Sequence, residues 1–301
     1  MAGEGDLQLL GGLVSPFTLR VRMALHVKGV SYEYLEQDLW DKSELLLASN
    51  PVHKKVPVLI HAGKPICESV AIVQYVDEVW ASAPSLLPAD PYDRAVTRFC
   101  AAYVDDELFP AWLAILRAAT EEERAQKLAA TLAVLAPMEE AFSACSAFSS
   151  GGDSIGYFDL ALGCQLFWLD ALREMFDVMV IDDGRTPPLA AWTERFLETE
   201  AAKMVKPPMS SMLERPQCPC TGQSSRQNLI GRWQLLGGDM PISLRLLPSS
   251  RDAPSLVIPV ERPGNPDGWR KRRAGDGLSG YGTREAGRAA TAAGESEQPA
   301  V

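Results

Sequence analysis

The sequence predicts an α/β domain followed by an all-α domain, and three observations support this fold class. Strand and helix patterns alternate within residues 1–82, helical patterns alone occupy 92–206, and residues 207–301 are rich in glycine and proline. Three prolines within 83–91 indicate a linker between the two domains. The chain is therefore divided into an α/β domain, a linker, a helical domain and a tail.

The first half of the α/β domain is predicted to be a βαβ unit. The apolar run 7–10 predicts a strand, and the alternating residues 31–36 predict a second one. Between them a helix begins at Ser15-Pro16, because serine favours the N-cap and proline is tolerated at the first helical position. No element is predicted in the polar region 41–55.

The second half is predicted to be a hairpin followed by a helix, which completes a βαβ–ββα order. Residues 56–60 and 65–67 are β-rich runs on either side of a turn, and an apolar helical pattern over 70–80 follows Ser69. Pro57 would lose a ladder hydrogen bond inside a central strand. We therefore expect it at a strand start or in a turn, with a cis peptide bond.

Helical patterns without strand alternation continue through the second domain. The predicted helices cover 92–117, 121–148, 157–176 and 188–204, and glycine- or proline-containing segments interrupt them. This part of the chain is therefore predicted to be all-α.

Charge and composition exclude several classes of function. The chain carries 39 acidic and 29 basic side chains, and the net charge is -13 over residues 1–206 and +3 over the tail. Such an acidic body repels a phosphate backbone, so we expect no nucleic-acid partner. No run of about 18 apolar residues and no secretory signal is visible, so we expect no membrane partner and a cytosolic location.

The six cysteines and three histidines indicate neither disulfides nor a metal site. The first four cysteines lie in apolar patterns, no CxxC pair occurs, and the CxC at 218–220 is no metal-binding motif by itself. We expect reduced thiols and no bound metal.

Polar residues at the starts of the two helices of the α/β domain are candidates for binding an anionic peptide. Ser15 lies at a helix start, where N–H groups and the helix dipole favour an anion, and its hydroxyl could stabilise a thiolate. Glu68 and Ser69 offer an acceptor for an ammonium group and donors for a carboxylate. Lys42 and the Lys54-Lys55 pair could receive a second carboxylate. The backbone beside Pro57 could pair with an extended peptide.

Each of these residues also has a purely structural interpretation. Ser15 taken alone is an N-cap, Glu68-Ser69 is a capping pair, and lysines in a polar loop are usually solvated. Composition and spacing do not choose between a binding site and these alternatives.

Several segments of the chain resemble plant glutathione transferases of the tau class. They are Ser15-Pro16-Phe17, the run NPVHKKVPVL from Asn50 to Leu59, Ile66-Cys67-Glu68-Ser69, GGDSIGY from Gly151 to Tyr157, and Trp192–Phe196. The likeness covers about residues 6–206, and the run from Asn50 to Ser69 is specific. It implies a thioredoxin-like domain before the helical domain, a homodimer, and glutathione as co-substrate without a tightly bound cofactor.

The resemblance also implies a role for each candidate residue. A serine at the position of Ser15 stabilises the glutathione thiolate in that family. The implied glutathione-binding residues are Lys42 and Lys55 for the glycyl carboxylate, the backbone of Val56 beside cis-Pro57 for the cysteinyl amide, and Glu68 and Ser69 for the γ-glutamyl group.

An apolar pocket for a hydrophobic electrophile is implied next to the thiolate. Its candidate residues are Phe17, Phe109, Trp112, Leu113, Leu116 and Trp168. Apolar residues at helical spacing are usually core, so a packing role stays open for each. Asp159, in the segment from Gly156, matches the family's buried capping box and is interpreted as structural.

The expected function is conjugation of glutathione to hydrophobic electrophiles in detoxification and stress response, with some peroxidase activity. One alternative is a non-catalytic carrier for flavonoid- or hormone-like aromatics. Another is a chain with an incomplete acceptor pocket and little activity. A thiol–disulfide reductase is disfavoured, since that chemistry needs a cysteine at the position of Ser15.

The tail departs from the family. A tau-class chain normally continues beyond Lys206 into a further helix that closes over the acceptor pocket, whereas here Pro207-Pro208 and a Gly/Pro-rich sequence follow. This composition predicts disorder. Translation of an intron or a faulty gene model is the leading interpretation, and a regulatory or nuclear-targeting extension using Lys271–Arg273 is the alternative.

Overall fold

The structure is a computed structural model that describes residues 6–39, 41–144 and 155–213, without the side chains of 142–144. All of the described residues fall within one unit of the fold. The predicted helix end at 145–148, the glycine break at 151–153, Cys145 and the tail beyond 213 lie outside the described residues.

The α/β part has the predicted order of strands. Its elements are β1 (Leu7–Gly11), α1 (Pro16–Val27), β2 (Glu33–Glu36), α2 (Glu44–Ser49), β3 (Val58–His61), β4 (Lys64–Cys67) and α3 (Ser69–Val79). The sheet order is β2-β1-β3-β4, with β1 parallel to β2 and antiparallel to β3, and β3 antiparallel to β4. The predicted thioredoxin-like βαβ–ββα class is confirmed.

Helix α2 lies in the polar region for which no element is predicted. It spans six residues, and its single buried side chain is that of Leu46. Ser43 caps it by accepting a hydrogen bond from the Leu46 N–H at 3.1 Å. A helix this short contains too few turns to show an apolar period, so the pattern did not predict it.

The second part is all-helical, as predicted, but two predicted helices are divided. The elements are α4 (Pro91–Tyr103), a π-helical turn (Val104–Leu108), α5 (Phe109–Arg117), α6 (Glu121–Ala144), α7 (Tyr157–Phe176), α8 (Pro187–Leu197), α9 (Glu200–Val205) and α10 (Met209–Leu213). The π-helical turn interrupts the predicted helix 92–117. Thr199 interrupts 188–204, because its hydroxyl caps α9 by accepting from the Ala202 N–H at 3.3 Å.

Helix α10 extends the described structure past the predicted end of the helical domain at residue 206. Its Met212 is buried, and the helix contacts α7. The prediction of a disordered tail from residue 207 is therefore wrong for residues 209–213. Met209 and Met212 are three residues apart, which places both on one face of a single turn, too short a signal to predict a helix.

Helix α1 joins the two parts through one continuous core. It contacts α3 on the α/β side and α7 and α9 on the helical side. Leu19 and Met23 of α1 belong to the same buried cluster as Trp112 and Trp168. The start of α1 is therefore held by both parts of the protein. Within the described ranges, no helix is both long and apolar enough to cross a membrane.

Candidate active site

Three of the predicted ligand-binding segments meet at one end of the strands of the sheet, where β1 and β4 end and β3 begins. The register pairs Val58, at the start of β3, with Leu10 near the end of β1 and with Cys67 at the end of β4. The residues adjoining these strand ends are Ser15 after β1, Val56-Pro57 before β3 and Glu68-Ser69 after β4. Strand pairing therefore brings together segments that are separate in the sequence.

Ser15 caps the N-terminus of α1. Its backbone is extended, and its Oγ accepts a hydrogen bond from the Thr18 N–H at 3.4 Å. The residue is 1% exposed. A hydroxyl that accepts one bond still carries a hydrogen that it can donate, and the N-terminus of a helix favours a nearby anion. The capping role and a thiolate-binding role are therefore compatible.

Gly12 shows how closely the serine approaches the segment before β3. A Cβ built on Gly12 would lie 3.7 Å from the Cβ of Ser15 and 3.7 Å from the Cγ2 of Val56. Ser15 and Val56 therefore border the same small region. The Val56–Pro57 peptide bond is cis, and Pro57 lies directly before β3.

Asn50 holds the loop that leads to Val56. Its buried side chain donates from Nδ2 to the Lys55 carbonyl at 3.0 Å and accepts at Oδ1 from the His53 N–H at 3.1 Å. Lys54, between them, has a positive φ of 54°. These bonds set the course of the backbone that carries Lys55 into the site.

The three lysines Lys42, Lys54 and Lys55 form a group of positive charges. Lys42 is half-buried, and burial together with the charges of Lys54 and Lys55 lowers the pKa of its ammonium group below the usual range. Charges act on one another in this way only when they are near, because the interaction falls with distance and is screened by salt. Lys42 is therefore near enough to Lys54 and Lys55 for their charges to act on it.

Glu68 and Ser69 lie at the start of α3 and differ in their surroundings. Glu68 is exposed and has a positive φ of 70°, a conformation that is costly for a residue other than glycine and is often found at ligand sites. Ser69 is buried, and its Oγ accepts a hydrogen bond from Nη1 of Arg20 at 3.0 Å. That bond leaves the hydroxyl hydrogen of Ser69 for donation.

Arg20 is a residue of this site that the sequence pattern did not single out. Its guanidinium is buried and pairs with Asp105 through bonds of 2.8 and 2.5 Å, and Nη2 also donates to the Ala161 carbonyl at 3.3 Å. The two-pronged pair is a strong, directional interaction. Arg20 therefore links Ser69 to the π-helical turn and to α7. The available signal was the position of Arg20, three residues after Phe17 and four before Ala24, on the apolar face of α1.

The six candidates for the electrophile pocket lie in one apolar cluster. Ring centroids are 5.0 Å apart for Phe17 and Phe109, 5.3 Å for Phe109 and Trp112, and 6.1 Å for Trp112 and Trp168. Leu113 and Leu116 belong to the same buried cluster. Phe17 is half-buried and the other five are buried. Each of the six side chains therefore packs in the apolar core, as its alternative structural interpretation predicts.

A cleft of about 310 Å³ occurs away from the predicted site residues. It is lined by Leu132, Ala136, Glu139, Glu140, Arg185 and Thr186. None of the residues predicted to bind glutathione or an electrophile lines this cleft, so it is not the predicted acceptor pocket.

Asp159 has the structural role that its capping motif predicts. Its Oδ2 accepts from the Gly156 N–H at 2.8 Å, and its Oδ1 accepts from the indole Nε1 of Trp192, also at 2.8 Å. The carboxylate therefore caps α7 and ties it to α8.

The described cysteines and acidic residues show no metal-binding arrangement. The sulfur atoms of Cys67, Cys100 and Cys164 are not in disulfide bonds. In the part of the chain that the structure describes, no group of three or more His, Cys, Asp or Glu side chains could hold a metal ion.

Comparison with known sequences shows the family. Residues 5–78 match the family described as glutathione S-transferase, N-terminal domain. A probable glutathione S-transferase of Oryza sativa subsp. japonica is 55% identical over 214 residues, which are 69% of this chain and 91% of that protein. Glutathione S-transferase U17 of Arabidopsis thaliana is 46% identical over 214 residues, which are 70% of this chain and 94% of that protein.

Two solved structures share both sequence and fold with the chain. A tau-class glutathione S-transferase from mango, Mangifera indica, is 45% identical with a TM-score of 0.64, covering 69% of this chain and 95% of that one. A rice glutathione S-transferase solved in complex with glutathione is 35% identical with a TM-score of 0.63. The match covers 70% of this chain and 94% of that one.

The thioredoxin-like sheet followed by an all-helical part is shared with these glutathione S-transferase structures. The chain belongs to the glutathione S-transferase family, and within it to the tau class.

Proposed function

We propose that this chain conjugates the thiolate of glutathione to hydrophobic electrophiles. The observation that supports this most directly is the position of Ser15. Its hydroxyl lies at the N-terminus of α1 and borders the same small region as Val56. This arrangement offers one hydrogen-bond donor and the positive end of a helix dipole to a sulfur atom placed beside an extended peptide backbone.

Ser15 would act by stabilising the thiolate rather than by removing its proton. A free cysteine thiol has a pKa near 8.5, and lowering it by about two units makes the thiol largely ionised at neutral pH, at about 2.7 kcal/mol of differential interaction. The sulfur lone pair then forms a bond to an electrophilic carbon while the leaving group departs with its electron pair. Attack of the thiolate on a hydroperoxide oxygen would break the O–O bond and release an alcohol, leaving glutathione sulfenic acid. A second glutathione would convert the sulfenic acid to glutathione disulfide and water, which completes the peroxidase activity.

The other site residues would hold the rest of the tripeptide. Lys42 and Lys55 are proposed for the glycyl carboxylate, which the group of lysine charges favours. The backbone of Val56 beside cis-Pro57 is proposed for the cysteinyl amide. Glu68, exposed at the start of α3, and the hydroxyl of Ser69 are proposed for the γ-glutamyl amine and carboxylate.

Phe17 is proposed as the first contact of the electrophile. It is the half-buried member of the aromatic cluster and directly follows Pro16 of the same helix start. Phe109, Leu113 and Leu116 would form the wall behind it. Trp112 and Trp168, which are 0% and 1% exposed, would back this wall without meeting the electrophile.

A homodimer is proposed from exposed apolar side chains on α4 and on the loop before β3. Phe99 and Tyr92 are 53% and 48% exposed, and Val52 is 79% exposed. Phe99 and Tyr92 are seven residues apart and lie on one face of α4. A second copy of the chain is the proposed occupant of this face, and the cytosol is the proposed location.

Replacement of Ser15 by alanine tests the proposed function. We expect Ser15→Ala to nearly abolish conjugation of a chloronitrobenzene while glutathione binding is mostly retained. Thr199→Ala is the matched control, because it also removes a hydroxyl N-cap, on α9, with an expected cost of about 1 kcal/mol and unchanged turnover. Full turnover by Ser15→Ala contradicts the proposal. Tight binding of an aromatic dye by a chain without turnover supports the carrier alternative instead.

A further inference from the structure

The loop that positions Ser15 is held from two directions. The Leu13 N–H donates to Oε1 of Glu36 at 3.0 Å, at the end of β2. The Val14 carbonyl accepts from the indole Nε1 of Trp168 at 2.8 Å, from the middle of α7. The Ser15 N–H closes the turn by donating to the Gly12 carbonyl at 3.0 Å.

The Val14 carbonyl lies just outside the hydrogen-bond ladder of α1. The carbonyl of Ser15 is the first to accept a helical bond, from the Leu19 N–H at 2.9 Å. Val14 is itself buried. The indole of Trp168 therefore satisfies a buried carbonyl that directly precedes the serine, and a buried carbonyl without a donor is costly.

The ring of Trp168 has little freedom to turn away from this bond. It stacks on Trp112 with an interplanar angle of 9°, and the Trp112 indole donates to Oε1 of Gln165 at 3.2 Å. Trp168 is 1% exposed, so its ring offers little surface to an electrophile. Its fixed N–H, by contrast, points at the backbone that carries the serine.

We propose that Trp168 is a positioning residue: its indole N–H fixes the Val14 carbonyl and thereby directs the Ser15 hydroxyl toward the glutathione sulfur. This inference rests on the proposed function, because it assigns to Trp168 the alignment of the hydroxyl that the reaction uses. It replaces the predicted contact between Trp168 and the electrophile with a contact to the loop.

The test compares two buried tryptophans that each donate one indole hydrogen bond of 2.8 Å. Trp168→Phe removes the donor to Val14, and Trp192→Phe removes the donor to Asp159, which caps α7 away from the Ser15 loop. Benzothienylalanine in place of Trp168 keeps the size of the ring without its N–H. It provides the measurement if Trp168→Phe does not fold.

The quantity measured is the pKa of the enzyme-bound glutathione thiol. It is obtained by titrating the thiol and monitoring the ultraviolet absorbance of the thiolate. For Trp168→Phe or the benzothienylalanine variant, we expect the bound thiol pKa to rise by about one unit and kcat at neutral pH to fall about tenfold. The KM for glutathione should change by less than about threefold, and turnover should recover as the pH rises. Trp192→Phe should lower the melting temperature without moving the thiol pKa.

Ser15→Ala, measured in parallel, distinguishes a failure of the positioning role of Trp168 from a failure of the proposed function. If Ser15→Ala raises the thiol pKa and the Trp168 variants do not, the positioning role is wrong and the proposed function stands. If Ser15→Ala leaves the thiol pKa unchanged, the thiolate-stabilising role of Ser15 in the proposed function is wrong. A thiol pKa that Trp192→Phe raises as much as Trp168→Phe also overturns the positioning role, since the effect is then a general one.

Discussion

The ammonium group of Lys28, at the end of α1, lies 2.7 Å from the carboxylate of Asp77 on α3, and both side chains are nearly excluded from solvent. The same carboxylate accepts hydrogen bonds from the backbone N–H groups of Leu86 at 2.8 Å and Leu87 at 3.3 Å. The Leu86 carbonyl in turn accepts from the Tyr157 N–H at 2.8 Å. Asp77 therefore anchors the linker between the α/β and helical parts.

Replacing Asp77 should destabilise the fold strongly. Asp77→Ala leaves the buried ammonium of Lys28 without its counter-charge, which typically costs about 3–5 kcal/mol of unfolding free energy. Urea denaturation measures this change. The exposed pair of Lys203 and Glu198 supplies the control, since Glu198→Ala should leave the unfolding free energy nearly unchanged. Equal effects of the two variants would contradict a special role for the buried pair.

The contribution of Asp77 should also depend on pH. Burial alone would raise the pKa of Asp77, but hydrogen bonds from Leu86 and Lys28 outweigh burial and hold the pKa below its usual value. A carboxyl group with a lower pKa in the folded chain stabilises the fold above the unfolded value, near 3.9, and loses this contribution as the pH falls through the folded value. The stability difference between wild type and Asp77→Asn should therefore shrink below about pH 4. A difference that stays constant down to the lowest pH measured would show that Asp77 is not the titrating group.

Lys54 should control the pH dependence of glutathione binding through Lys42. Because burial and the charges of Lys54 and Lys55 lower the pKa of Lys42, Lys42 loses its proton at a lower pH than a free lysine. The proposed attraction for the glycyl carboxylate is then lost as the pH rises through that pKa. Lys54→Gln should move the rise in the KM for glutathione to higher pH. Lys64→Gln, an exposed lysine at the other end of the hairpin, should not move it.

Met212 tests whether α10 contributes to the stability of the body. Met212→Ala removes a buried side chain and should lower the unfolding free energy by about 2–5 kcal/mol. Met204→Ala is matched in chemistry, but Met204 is 61% exposed and the change should stay within about 0.5 kcal/mol. If Met212→Ala leaves the unfolding free energy unchanged, the stable body ends before α10.

Phe99 tests the proposed dimer. Phe99→Asp places a carboxylate in an apolar contact, where an unpaired charge is costly, and should shift the chain toward the monomer in sedimentation equilibrium. Met179→Asp changes an exposed methionine outside α4 and should leave association unaltered. A wild-type chain that is already monomeric would overturn the proposed dimer.

The order of the main elements could be predicted, while short or interrupted elements could not. Ser15 and Pro16 mark the start of α1 through local capping chemistry, and β3 and β4 follow from β-rich runs around a turn. Helices α2 and α10 span six and five residues and bury one side chain each, so neither is long enough to show an apolar period. The π-helical turn keeps helical periodicity on both sides, so the pattern shows one helix where the backbone has an interruption.

The sequence predicted the polar residues of the candidate site but not the buried partners that hold them in place. A serine at a helix start, lysines before a β-rich run and a Glu-Ser pair are visible as residue types. The partners that hold them are separated widely in sequence: Arg20 and Asp105 by 85 residues, Trp168 and Val14 by 154. No local pattern encodes which buried donor meets which buried acceptor.

The sequence by itself determined the chemistry available to this protein: the hydroxyl at the start of α1, the acidic body and the order of strands and helices. These properties depend on neighbouring residues and on their periodicity. Tertiary structure alone decided that β3 lies between β1 and β4, that Ser15 and Val56 border one region, and that the Trp168 indole donates to the Val14 carbonyl. Those relationships arise because packing of the described residues brings buried donors and acceptors that are distant in sequence within hydrogen-bond reach.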